Sequence, residues 1–445
     1  MVTLDDPVAV GGVELRNRLY RTPLLECAGN GPDAVSRLVD ELAPAAESGV
    51  GCIHQGATLV RDEGGCAAPN MTRVHDPEFV DDLGALPDAI HDHGGRVFVQ
   101  LAEGGLRSME TWHAEYRDRH PDAEQQVVSR PPWQLRLLDR VGFVDLTPHV
   151  LSTGEVEGLA QDFGRAAERT VEAGYDGVHL AGANMGIIQQ FLSPFYNHRD
   201  DEFADGVTFL ERVHDEIRDR VGDVPLITKV PAETAAPPTV RRHLSLADGV
   251  DIAARLAKAG FDGVVPVECS VVWDMSLVRG EFPDRAWTAE DLQADYDAAF
   301  GSRLRVRVVR LLNWLQARRF EREPGWNETF CRRVRERLHA EGHDDVVVCC
   351  EGGVRTRTQC DRLLGDGPDR PAADLVGMGR PFYAEPRLGA RLLAGEDAIC
   401  RSCNNCTVPQ ATGAEGRCRT PSVVRERGRL AKDGAYEGNS FGAPE

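Results

Sequence analysis

Cys400, Cys403, Cys406 and Cys418 fall within the stretch CRSCNNCTVPQATGAEGRC, four of the chain's 12 cysteines at the spacing C-x2-C-x2-C-x11-C. Three thiolates at that interval pack into one tight turn, and the fourth closes the set. Zinc sites more often use separated C-x2-C pairs. A close triple with a distant fourth suits a 4Fe-4S cube, each iron of which takes one thiolate. Zinc and a vestigial cysteine set are the alternatives. In a reducing compartment clustered cysteines bind metal more often than they form disulfides.

The elements that must position this segment alternate. Short apolar or β-branched runs occur at 18–25, 51–60, 96–102, 177–182, 225–231, 263–268, 345–352 and 374–381, with amphipathic stretches such as 155–174 and 248–260 between them. Eight strands alternating with helices point to an α/β fold, either a parallel (β/α)8 TIM barrel or a doubly wound sheet. A long connection after the third strand (103–154) and a charged helical insertion after the sixth (270–343) break the rhythm. Connections of that length are usually functional or disordered. The division expected is a barrel over 1–395 and a cysteine segment with a weakly ordered tail over 396–445.

A net charge of −20 on 445 residues argues against nucleic acid and anionic membrane as partners. Lysines are scarce, only Lys229, Lys258 and Lys432, so the acidic, arginine-rich surface suits a salt-rich, halophilic cytoplasm. No apolar run approaches the ~20 residues of a membrane span. The start MVTLDDPVAV has no secretory pattern, so a cytoplasmic location is expected.

In a parallel barrel the ligand site lies at the C-terminal ends of the strands, and the loops after strands 7 and 8 commonly hold phosphate. Here those ends read CEGGVRTRTQ and GMGRP. Gly352, Gly353 and Gly379 offer backbone N–H groups, and Arg380 adds a bidentate cation.

The segment VEAGYDGVHLAGANMGIIQQFLSPFYNHRDDEF (171–203) resembles the signature of the old yellow enzyme, or NADH:flavin oxidoreductase, family. It is most similar to the barrel domain of the 2,4-dienoyl-CoA reductase and trimethylamine dehydrogenase branch. LRNRLYRTP (15–23), QLAEGG (100–105), GGV (352–354), DLVGMGRPFYAEP (374–386) and the cysteine segment agree. The resemblance implies an FMN-binding (β/α)8 barrel, a 4Fe-4S cluster on the four cysteines beside it, and NAD(P)H as a reductant. Position by position, it implies Pro23 and Leu24 along the flavin, Ala57 near its ring and Gln100 on the pyrimidine edge. It implies Lys229 near N1 and O2, and Gly352, Gly353, Gly379 and Arg380 at the phosphate. The covalent-flavin position of some amine dehydrogenases is Leu25 here, so non-covalent FMN is expected.

The catalytic positions depart from the family pattern. Its reductases hold the substrate with a His/His or His/Asn pair followed by a tyrosine proton donor. Here those positions are Ala181, Asn184 and Gly186, and Glu103 replaces a histidine. Asn184 is left to bind substrate. Tyr116, Tyr196, Cys27, Glu26, Glu103 and His179 are candidate replacements for the acid. Losing a general acid costs about 10²–10⁴ in rate. The expected activity is an FMN- and 4Fe-4S-dependent oxidoreductase acting on a small organic substrate. A non-catalytic or electron-carrier flavoprotein is the alternative. So is an amine dehydrogenase-like enzyme with an aromatic cage from Trp112, Tyr116 and VVWDMS (271–276). A separate electron-transfer protein is expected, since no G-x-G-x-x-G follows a strand near the cysteines. Homo-oligomerisation is open.

Overall fold

The computed structural model describes residues 2–273, 279–367 and 370–437. Eight strands close into one barrel in chain order. They are β1 (Leu19–Arg21), β2 (Cys52–Leu59), β3 (Arg96–Ala102), β4 (Gly177–Leu180), β5 (Leu226–Ala232), β6 (Gly263–Glu268), β7 (Val347–Cys350) and β8 (Leu375–Met378). Every neighbouring pair is parallel. The sequence expectation of a (β/α)8 barrel therefore holds. β1 is shorter than its apolar run because Pro23 has no N–H to extend the ladder.

Helices surround the barrel because their apolar stripes need the outer faces of the strands. Thr153–Glu172 begins with a capping box in which Ser152 and Glu155 satisfy each other's backbone N–H groups. Inside the barrel, Tyr20, Phe98, Ile227, Val265, Val347 and Leu375 pack together. His54 stacks on Phe98 at 5.2 Å, and its Nδ1 lies 3.1 Å from Nδ1 of His179.

The connection after β3 is structured. It contains short helices at Met109–Trp112 and Ala114–Arg119, a longer one at Trp133–Arg140, and two paired strands, Gln125–Val127 and Pro148–Val150. The insertion after β6 contributes Asp284–Thr288, Gln293–Phe300 and Arg303–Arg319. The last of these buries only Val306 of its 17 residues, and Leu304, Leu311 and Leu315 are exposed. Glu328–Glu341 buries Phe330, Cys331, Val334 and Leu338, so it serves as the helix between β6 and β7. The tail corrects the sequence expectation of weak order: Pro421–Lys432 is a helix with Pro at its start and Val423 buried. Residues 274–276 of the VVWDMS motif lie outside the described residues.

Arg21 anchors the start of the rim. It is 1% exposed, and it pairs with Glu26 at 2.9 Å and Glu41 at 2.7 Å. Glu26 also accepts the Gly56 N–H at 2.9 Å, tying the ends of β1 and β2 together. Arg21→Met strands two carboxylates in a low-dielectric site and is expected to destabilise the protein by about 3–5 kcal/mol. Urea unfolding followed by circular dichroism measures it.

Candidate active site

The strand ends open into one cleft of about 800 Å³. Pro23 and Leu24 follow β1, Ala57 and Gln100 lie on β2 and β3, and Lys229 lies on β5. Gly352 and Gly353 follow β7, while Gly379 and Arg380 follow β8. All nine line that cleft, with Ala181, Asn184, Gly186 and Glu103.

The two glycines after β7 form a tight corner. Both have left-handed backbones, φ +103° and +72°, and a Cβ on Gly353 would stand 2.3 Å from the Glu323 carbonyl. Their backbone therefore lies bare beside Trp326, which the insertion places against them. Lys229 and Glu351 form a close buried ion pair across the cleft wall. Gln100 is held from behind by His179, with 3.4 Å between their nitrogens.

Asn184 has a left-handed backbone, φ 66°, which Asn tolerates better than most residues. The Arg107 guanidinium donates to its carbonyl at 2.7 Å. Gln189 accepts the Met185 N–H at 2.7 Å, and Gln190 donates to the Met185 carbonyl at 2.7 Å. The two glutamines thus staple the turn that presents Asn184, whose side-chain oxygen is buried without a partner. Glu103 is 5% exposed, and its Oε2 also lacks a partner. Burial pushes its carboxyl up to about 7, opposed by Arg61, a Gly105 backbone hydrogen bond and Arg73, and reinforced by Glu110. Gly65 makes room for it, because a Cβ there would stand 2.2 Å from the carboxylate.

Several candidates stand away from the cleft wall. His179 is wholly buried inside the barrel against His54, so it supports Gln100 instead of facing a substrate. Burial holds its imidazole well below the usual histidine range. Tyr116 stacks on His120 at 4.5 Å outside the cleft lining, and its phenol is pushed up to about 12 by burial and then by Glu110. Tyr196 packs with Phe195 and Trp273 in a separate cluster. Glu26 is committed to Arg21, and Cys27 is a buried thiol whose ionisation burial opposes. Of the aromatic candidates, Trp112 reaches the cleft, while Trp273 donates to the Thr234 carbonyl at 3.1 Å.

None of the 12 cysteines is in a disulfide. Cys400, Cys403, Cys406 and Cys418 line one small cavity together with Arg380, Asn404 and Thr420. Among the described residues, no three or more His, Cys, Asp or Glu side chains are arranged as ligands for a metal ion. Burial raises the Cys400 and Cys406 thiols, the latter to about 12, and the nearby Arg380 pulls both back. Arg380 also bonds the Asn404 side chain, so one guanidinium borders both the cleft and the cysteine cavity. Gln410 donates to the Leu25 carbonyl at 2.7 Å, which makes the cysteine segment part of the cleft floor.

Residues 3–240 match the family described as NADH:flavin oxidoreductase / NADH oxidase, over half of the chain. The chain belongs to that family. That family is one of flavin-dependent oxidoreductases. It is 32% identical over 391 residues to the NADH:fumarate oxidoreductase of Klebsiella pneumoniae (strain 342), covering 87% of this chain and 35% of that one. It is 23% identical over 405 residues to the NADH oxidase of Thermoanaerobacter brockii, covering 90% and 52%. Its fold matches 2-naphthoyl-CoA reductase in complex with 2-naphthoyl-CoA, with a TM-score of 0.69 at 17% identity, over 96% of this chain and 58% of that one. The chain thus spans about a third of the first relative and little more than half of the other two. Among the described residues no helix is long and apolar enough to cross a membrane.

Sequence reasoning missed Glu351, Glu110, Trp326 and Gln189. The carboxylate in CEGG was the one available signal, since a strand-end acid buried beside a glycine corner needs a cation nearby.

Glu103 gives this family member a pH-dependent stability. Its folded value of about 7 lies above the ordinary 4.5, so its ionisation is harder in the folded protein. The resulting loss of stability is absent below pH 4.5, grows through about pH 7 and is complete above it. Glu103→Gln removes that cost. The variant is expected to exceed the natural protein by up to about 3 kcal/mol at pH 8 or above, with the gap closing near pH 5. Thermal unfolding across that pH range measures the gap.

Proposed function

We propose that the cleft binds FMN non-covalently and that the enzyme exchanges hydride between NAD(P)H and a small organic substrate. The supporting observation is that the nine expected cofactor residues, from six separate strand ends, meet on one cleft with the unpaired Asn184 and Glu103 side chains. When bound, the flavin supplies hydride acceptance and delivery. The bare backbone at Gly352 and Gly353 and the Arg380 guanidinium hold the phosphate. Gln100, fixed by His179, bonds the pyrimidine edge. Lys229 puts positive charge where reduction adds negative charge.

Asn184 binds a polar group of the substrate with an amide that no protein group occupies. Glu103 takes the place of the missing tyrosine, because a carboxyl titrating near 7 can donate a proton at neutral pH. The wall of Leu106, Leu135, Leu138 and Phe143 keeps water from the reacting atoms. A cationic amine substrate is a second reading, favoured by Trp112, Trp287 and Phe300 on the same wall. Anaerobic bleaching by an amine in the absence of NAD(P)H separates the two.

The four cysteines are proposed to hold a 4Fe-4S cluster, which supplies one-electron steps when bound. The support is that the four thiols line one small cavity beside Arg380 at the spacing C-x2-C-x2-C-x11-C, which suits a four-iron group better than zinc. A separate electron-transfer protein, in the cytoplasm, is proposed to exchange electrons with it.

Acid precipitation is expected to release FMN into the supernatant; colourless protein that cannot be reconstituted with FMN would refute the flavin reading. Arg380→Ala is expected to weaken FMN binding by roughly 1.5–3 kcal/mol, measured by fluorescence titration of the deflavinated protein. Cys403→Ser is expected to lower iron and sulfide content and to slow turnover with the protein partner. Flavin reduction by substrate should persist in that variant; unchanged partner turnover in cluster-free protein would make the cysteine site structural.

A further inference from the structure

Glu351 follows the last residue of β7 and directly precedes the glycine corner. Its Oε1 accepts from the Lys229 ammonium, with the two side chains 9% and 5% exposed. The carboxylate is held from both sides. Tyr20 donates to its other oxygen at 3.4 Å, and Asn327 donates to the Glu351 carbonyl at 2.9 Å. Both ends of the pair line the cleft. In so lysine-poor a chain, the ammonium at this wall is thus already matched by an acid.

We propose that Glu351 is a positioning residue that fixes Lys229 and offsets its charge, so that the bound flavin has a lower reduction potential than a lone lysine would give. The inference rests on the FMN reading above. Two-electron reduction of FMN near neutral pH takes two electrons and one proton, from NAD(P)H or an added reductant, and leaves one extra negative charge in the cleft. Lys229 favours that charge, and Glu351 opposes it. Water screens little at side chains this buried, so the opposition is felt across the cleft. A lower potential favours giving hydride to substrate over retaining it. A merely structural pair would satisfy the buried ammonium and leave the potential unchanged.

The test uses the flavin-loaded protein and its Glu351→Gln, Glu351→Asp and Lys229→Met variants. Midpoint potential is read by anaerobic titration against a reference dye, and sulfite affinity by bleaching of the flavin band, because positive charge beside the ring stabilises the sulfite adduct. Glu351→Gln is expected to raise the potential and to tighten sulfite binding by about tenfold or more. Lys229→Met is expected to move both the other way, and Glu351→Asp to return both toward the natural values. A Glu351→Gln protein that keeps FMN, with potential and sulfite affinity unchanged or moved the opposite way, overturns the proposal. If that variant loses FMN, the Lys229→Met/Glu351→Gln double variant carries the test: the proposal requires it to have a higher potential and tighter sulfite binding than Lys229→Met alone, and equal or lower values refute it. Natural protein that cannot be loaded with FMN overturns the flavin reading itself, a result distinguishable from an unmoved potential.

Discussion

The barrel ring closes where the last strand, β8, pairs in parallel with the first, β1, from Val376 with Leu19 to Met378 with Arg21. Because every strand runs the same way, that closure sends all eight C-terminal ends to one rim. Pro23 and Arg380 are far apart in sequence, yet they border one space only because β8 pairs with β1. The interior ladder of Tyr20, Phe98 and Ile227 fills the ring below and leaves room only above it. The cleft is therefore a consequence of parallel closure, and the loops decide its contents.

Polar groups below and around that rim are handled in two ways. Arg21 and Lys229 are each matched by acids, since an unpaired cation in a low-dielectric wall is costly. Glu103 and Asn184 keep an unpaired oxygen where nothing in the protein answers it. Folded proteins rarely leave buried polar atoms in that state without a reason.

The barrel was legible because strand–helix alternation is a local property, and the shared cleft of the nine strand-end residues was legible because strand ends map onto the rim. What failed to read depended on side-chain direction. His179 and Ala181 share a strand face by alternation, but β4 ends at Leu180, so only Ala181 reaches the cleft while the histidine stays in the barrel. Tyr116 lies in the right connection but stacks on His120 and does not line the cleft, an arrangement set by packing that no spacing encodes. The tail helix was overlooked because its polarity masked Val423 and a proline start. Glu351 was passed over because its partner lies 122 residues away.

The helix Arg303–Arg319 forms one lip of the cleft through Arg305, Val309 and Leu312 while burying a single residue. A helix that buries one residue draws little of the tertiary packing from which most helical stability comes. Its backbone amides therefore open in local fluctuations that the barrel does not share, and they exchange with solvent ahead of it. That helix contributes Arg305, Val309, Leu312, Asn313 and Gln316 to the lining of the cleft. Warming accordingly loosens access to the cleft well before it loosens the strand ends that hold the chemistry.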